Sequence, residues 1–203
     1  MPKTDRRTGR TRHALMMAFV GEVFSRGYVN VSVEDIVARA NVGRSTFYMH
    51  YRGKEDLLRE SISRPSTILS LLVGGDVAAE LLVPQLEHFH EQRARNSEFF
   101  RDPIRRVWVK RLAEMMEPRL AKLARHSRAQ PHLPQPLIAL QLAESQIALI
   151  ANWLTGKPGL KLEAVAGALI AATQGNVRAL LGIPPDASVH IPGEKLRLAY
   201  QRV

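Results

Sequence analysis

The stretch 43-GRSTFYMHYRGKEDLL-58 decides how this chain is read. Its side chains include four cation or imidazole groups (Arg44, His50, Arg52, Lys54), two carboxylates (Glu55, Asp56) and three aromatic rings (Phe47, Tyr48, Tyr51). On a helix, residues four apart share a face. Phe47 and Tyr51 therefore form an apolar back, and Arg44, Ser45 and Thr46 occupy the first turn. Gly53 breaks that helix and Lys54 opens another.

Working outward, helical spacing continues on both sides. A first helix is predicted from about Thr11 to Arg26, with Leu15, Phe19 and Val23 on one face and Gly27 as its stop. Ser32 followed three residues on by Asp35 is a capping-box pattern, opening a second short helix that ends near Ala40. "NVG" makes a tight turn into a third helix, Arg44 to Tyr51, and a fourth runs from Lys54 towards Pro65. Two short helices joined by a tight turn behind a longer one describe a helix-turn-helix, whose second helix enters the DNA major groove N-terminal end first. Arg44 has the fork to bond guanine O6 and N7. Thr46 offers a hydroxyl and a methyl, and Ser45 a hydroxyl. Tyr48 and His50 suit phosphate oxygens at the groove edge. A lysine at a helix N-terminus opposes the helix dipole, so a DNA phosphate beside Lys54 would resolve the conflict; Ser32 is a matching candidate opposite. The plainer alternative is a solvated face on an ordinary helical hairpin.

Composition agrees with either. The 203 residues carry 29 Lys plus Arg against 19 Asp plus Glu, a net charge of +10 that favours polyanions or simply solvates the surface. With no cysteine there is no disulfide and no thiolate metal site, and a cytoplasmic location is compatible. The apolar run "ALMMAFVGEVF" is too short to span a bilayer and is interrupted by Glu22, so no signal peptide or membrane span is read. His88 and His90 point about 200° apart on a helix and cannot easily share a metal ion. No nucleophile–base–acid arrangement and no phosphate-binding glycine loop stands out, so neither an enzyme nor a cofactor is expected.

Beyond the fourth helix, "RPSTILSLLVGGDV" reads as a looser stretch, and the domain boundary is placed there, giving 1–62 and 63–203. Helical pattern resumes from about Val77 to Asn96. The segment 101–128 is rich in Arg and Lys and is either a solvated helix face or a receiver for an anionic ligand. A proline-rich linker, "AQPHLPQP", precedes two long apolar helices, about Gln135 to Leu154 and Leu162 to Leu181. The second carries the small residues Ala164, Gly167, Ala168, Ala171 and Gly175. Helices apolar on more than one face need two neighbours, here their own domain and a partner subunit; a single-chain core is the alternative. The tail from Ile183, with three prolines, is expected to be loosely ordered.

The segment "VSVEDIVARANVGRSTFYMHYRGKEDLL" resembles the DNA-binding segment of the TetR family of bacterial transcriptional regulators. The Gly27-Tyr28 turn, the helix start at Ser32 to Ile36, Ala40, Val42, and "STFYMHY" followed by Lys54 carry the likeness, over about residues 10–60. Gly43 stands where a serine is common, and Ser45 where glycine or alanine is common. The resemblance implies an all-α protein: a three-helix helix-turn-helix domain, then a larger helical effector-binding and dimerisation domain. It implies a homodimer through a four-helix bundle of the last two long helices, a palindromic double-stranded DNA operator, and repression relieved by a small molecule. The implied ligand pocket lies between about residues 65 and 155, with Phe89, Trp108, Met115 and Met116 as candidate walls, and Phe99 and Phe100 beside them. In such proteins a basic N-terminal arm like "KTDRRTGR" tracks a neighbouring groove; a disordered tail is the alternative. Rival functions are a constitutive or architectural DNA binder without effector, and a helical enzyme.

Overall fold

The computed structural model describes residues 3–74, 79–127, 129–156 and 159–184, with 187, 189 and 191. Among these residues every regular element is helical. In chain order they are α1 (Lys3–Arg26), α2 (Val33–Ala40), α3 (Arg44–Tyr48), α4 (Lys54–Ser61), α5 (Ser63–Leu71), α6 (Ala79–Glu91), α7 (Arg93–Asn96), α8 (Ile104–Ser127), α9 (Gln135–Thr155) and α10 (Leu162–Leu181).

The first four helices follow the predicted pattern, with two differences. α1 begins at Lys3, so the basic arm is the first part of a continuous helix. Lys and Arg are good helix formers, and the weaker residues Thr4, Asp5, Thr8 and Gly9 do not interrupt the helix. α3 ends at Tyr48, three residues early: Met49 still bonds back to Ser45 O, and His50 and Tyr51 both bond to Phe47 O, which closes the helix in tightened turns. α1 packs on α2 through Leu15, Phe19, Val23, Ile36 and Val37, all buried.

The larger difference is at 63–71. The stretch read as loose is α5, and it is nearly all buried. Pro65 sits in its first turn, where a missing N–H costs nothing. Its serines enter the core because their hydroxyls are satisfied locally: Ser66 Oγ donates to Ile62 O at 2.7 Å and Ser70 Oγ to Thr67 O at 2.8 Å. Buried Ile62 joins the side chains around α1 to those around α5 in one continuous apolar cluster.

α8 packs lengthwise on α9 and across α5, and α10 packs on α9 and α6. Gln146 ties three of these helices, its Nε2 donating to Thr173 Oγ1 of α10 at 3.0 Å and Leu69 O of α5 at 3.3 Å. α9 and α10 are each long and apolar enough to cross a bilayer, although 44% and 33% of their apolar windows are buried in the protein itself. α10 buries Val165, Leu169, Thr173 and Val177, and leaves Ala164, Gly167, Ala168, Ala171 and Gly175 exposed. Leu137 and Leu140 of α9 are exposed too. Most of the tail from Ile183 lies outside the described residues. Where it is described it packs: Ile191 is buried over Gly74, and Arg178 donates to Ala187 O at 2.9 Å.

Candidate nucleic-acid interface and adjoining cavity

The turn that aims α3 is built from a capped start and a left-handed stop. Asp35 N donates to Ser32 Oγ at 3.1 Å, and Ser32 N returns a bond to Asp35 Oδ2 at 2.9 Å, the reciprocal box the sequence spacing predicts. These bonds from Ser32, reinforced by Arg26, hold the Asp35 carboxyl below its ordinary pKa. α2 stops at Asn41, whose φ of 53° is tolerated by the short amide side chain. Gly43, extended at φ −77°, then opens α3 without a side-chain cap. A Cβ there would meet nothing nearer than Ser45 Oγ at 3.7 Å, so the backbone would accept the serine common at this position.

α3 has a packed back and an open front. Phe47 is fully buried and Tyr51 nearly so, their rings 5.8 Å apart. Arg44, Ser45 and Tyr48 are exposed, Thr46 and His50 half-buried. Arg44 lies 2.9 Å from Glu34 of α2, with both side chains more than half exposed. Such a pair contributes at most about 1 kcal/mol and is readily exchanged for another partner. Met49 and Val29, which sequence reasoning did not single out, are 80% and 71% exposed on the same helix-turn-helix.

Two of the predicted phosphate ligands are otherwise engaged. Lys54 Nζ donates to the carbonyls of Val31 (2.7 Å), Tyr28 (2.9 Å) and Val29 (3.3 Å), and sits 4.6 Å from the Tyr28 ring centroid. An ammonium has three N–H bonds, so an internal set of carbonyls, not an external anion, answers its conflict with the α4 dipole. Burial lowers its pKa. Ser32 Oγ gives its proton to Asp35 Oδ2 at 2.7 Å, which takes up the donor a phosphate would need. Both residues therefore act first within the fold.

A group the sequence reading missed lies behind this surface. Glu22 of α1 is buried and paired with Arg26 and with Arg39 of α2, the latter at 3.2 Å. Arg26, then Arg39, pull the Glu22 carboxyl below its ordinary pKa against the opposing effect of burial. The i, i+4 spacing of Glu22 and Arg26 is visible in sequence; the partner from α2 is not. The guanidinium passes close over Gly21, where a Cβ would lie 2.7 Å from Arg39 Nη2 and would push it aside.

Arg39 also edges a cavity of about 1080 Å³ between α1, α5, α6, α8 and the turn Ser97–Phe100, a volume at the upper end for small-molecule sites. Its aromatic wall is Phe24, Phe89, Phe99, Phe100 and Trp108, linked by ring contacts of 4.9–5.9 Å. Phe89 and Trp108, two of the candidates from the sequence, line this cavity. Met115 and Met116 do not line it: they lie about 10–12 Å further along α8, and Met116 is fully buried in the core. The basic segment 101–128 does not supply the cavity's cations either. Arg101, Arg105, Arg106 and Arg111 pair with Glu98, Glu144, Asp102 and Glu114. Among the described residues no group of His, Asp and Glu could hold a metal ion.

A capped helix, a left-handed turn and a short helix with an open polar front define a helix-turn-helix DNA-binding protein. Residues 22–61 match the model for bacterial regulatory proteins of the tetR family. Over 61 residues the chain is 43% identical to the HTH-type transcriptional regulator YxbF of Bacillus subtilis (strain 168), covering 30% of this chain and 16% of YxbF. A TetR transcriptional regulator from Streptococcus agalactiae 2603V superposes with a TM-score of 0.53 at 27% identity, covering 84% of this chain and 97% of that one. A TetR-family regulator from Syntrophomonas wolfei shares the fold at TM-score 0.57 and 20% identity, over 86% and 98% of the two chains. Thermus thermophilus FadR, a TetR-family repressor solved with lauroyl-CoA, shares it at 0.50 and 21%, over 87% and 97%. The DNA-binding helices, residues 22–61, are thus similar to those of the TetR family of bacterial transcriptional regulators, and the whole chain shares the fold of its solved members.

Proposed function

We propose that the protein is a cytoplasmic, non-enzymatic, sequence-specific regulator that binds a palindromic operator as a homodimer and is released by a small molecule, acting as a repressor. In this reading residues 1–62 are the DNA-reading head and 63–203 the effector and dimerisation body. Arg44, Ser45 and Thr46 face base edges, and Tyr48 and His50 contact phosphate. The dimer forms through α9 and α10, whose exposed small residues let a second copy approach closely. The observation that carries the reading is the adjacency of the two parts. The cavity is walled on one side by α1, the helix that packs on α2 and α3's own support. A ligand that fits one inclination of the head better than another therefore changes operator affinity by its differential affinity for the two states.

The test is selection from a random duplex pool, with the mass of the complex measured on the winner and a compound library scored for release. A palindrome bound by two copies supports the proposal, as does any compound that frees it. Enrichment of no sequence, together with a steep loss of binding in salt, would favour the architectural alternative that the +10 net charge allows.

A further inference from the structure

The formal charge of the cavity is one-sided. Its wall is largely aromatic and aliphatic with the polar groups of Ser61, Thr67, Gln85, His88, Gln92 and Asn96 among them, its guanidinium groups are Arg39 and Arg64, and no carboxylate is among its described lining residues. Both arginines are exposed at the rim, whereas Phe99, Phe100 and Trp108 are buried. Arg64 has no ion-pair partner among the described residues, and the one acid that Arg39 meets is Glu22, which approaches from behind. Trp108 adds an orphan, because its buried indole N–H has no acceptor.

We infer that the cavity binds an amphipathic monoanion, an apolar body carrying one carboxylate, with the charge on Arg39 and Arg64 and the body along Phe24, Phe99 and Trp108. This rests on the ligand-responsive reading above and names the chemical class of the ligand. Two rim cations over an apolar interior favour one charged end and one apolar end; a neutral apolar molecule offers neither guanidinium an anion, and a polar anion wastes the aromatic wall. The carboxylate also has a mechanical consequence. Arg39 belongs to α2, and its bond to Glu22 pins α2 to α1. A ligand carboxylate competes with Glu22 for the same guanidinium and loosens that pin. The DNA-reading head thus senses the ligand through one of its own side chains.

The chain has two tryptophans, Trp108 and Trp153, so Trp153→Phe leaves the cavity wall as the sole fluorescent reporter. The full chain carrying this change is titrated with decanoate and with decanol, both below their aggregation limits. Decanoate is expected to bind about tenfold more tightly, the scale of a charge-assisted contact. Arg39→Gln and, separately, Arg64→Gln should each narrow that gap. Glu22→Gln, which frees Arg39, should tighten decanoate, a gain that a merely structural Glu22 would not produce. Equal binding of the two probes overturns the charge assignment while leaving a ligand-responsive regulator with a neutral effector. Binding of neither probe overturns the inference, and release by the compound library then decides the broader reading separately. An unchanged affinity in Glu22→Gln overturns the competition.

Discussion

Lys54 Nζ lies 2.7 Å from the carbonyl oxygen of Val31, and so the first residue of α4 closes the turn that precedes α2. Lys54→Met keeps the apolar stem and removes the charge and its three bonds. We expect a loss of about 1–2 kcal/mol, read as a lower urea midpoint with unchanged slope, since the partly solvated carbonyls regain some water. A lysine that served DNA alone would leave the midpoint where it is.

On DNA, Arg44→Ala and Tyr48→Phe should separate. Arg44→Ala is expected to relax preference at particular base pairs, by about 1–3 kcal/mol at the affected position. Tyr48→Phe should weaken all sequences alike. Binding isotherms on the selected duplex and its single-pair variants distinguish these outcomes. An Arg44→Ala protein that selects the same motif would remove Arg44 from the readers.

Gly43→Ser should be nearly silent in stability. The backbone is already in the extended conformation that a capping serine uses, and glycine trails serine at this position by only a few tenths of a kcal/mol. Thermal melts of the pair check it. A large destabilisation would mean that the turn needs glycine for space, contrary to the open surroundings of its Cβ position.

The Glu22 carboxyl predicts a pH dependence. Its folded-state pKa lies below the ordinary value, chiefly through Arg26. Its contribution is complete above the ordinary carboxyl pKa and is lost as the pH falls through the lowered folded-state value. Asp35 and Asp56 act in the same direction. Stability should therefore fall on the acid side, and Glu22→Gln should flatten part of that limb in denaturant titrations at several pH values. An unaltered acid limb would show that the pairing contributes nothing.

Ala168→Arg probes the subunit contact. Ala168 is exposed on α10, so the substitution leaves the chain's own core untouched. Sedimentation should then report a folded monomer in place of a dimer. A dimer that persists would put the interface elsewhere.

The head was readable because its signals are local. The Ser32–Asp35 box, the Asn41–Gly43 turn and the Phe47–Tyr51 pair lie within a few residues of one another, and spacing alone places them. The body was readable only in outline. α9 and α10 announce themselves by apolar length, but α5 hid behind serines whose hydroxyls bond back into their own helix. The reach of Arg39 across Gly21 to Glu22, and the turning of Lys54 towards Val31, depend on helices meeting from distant parts of the chain. No periodicity records such meetings. For the same reason the wall was legible only as a set of candidates: Phe89, Phe99, Phe100 and Trp108 can be named from the sequence, whereas the addition of Phe24 and the exclusion of Met115 and Met116 need the way α8 lies against α1 and α6.

The length of α1 has a leverage of its own. At 24 residues it is a rod of about 36 Å, with Met17, Val20, Gly21 and Phe24 at the cavity and Arg7 and Arg10 near its other end. A tilt of about 5° pivoted at Gly21 would sweep Arg7, about 21 Å along the helix, by roughly 2 Å, enough to break a hydrogen bond. A movement too slight to reorganise the aromatic wall is thus magnified at the end that carries Arg7 and Arg10.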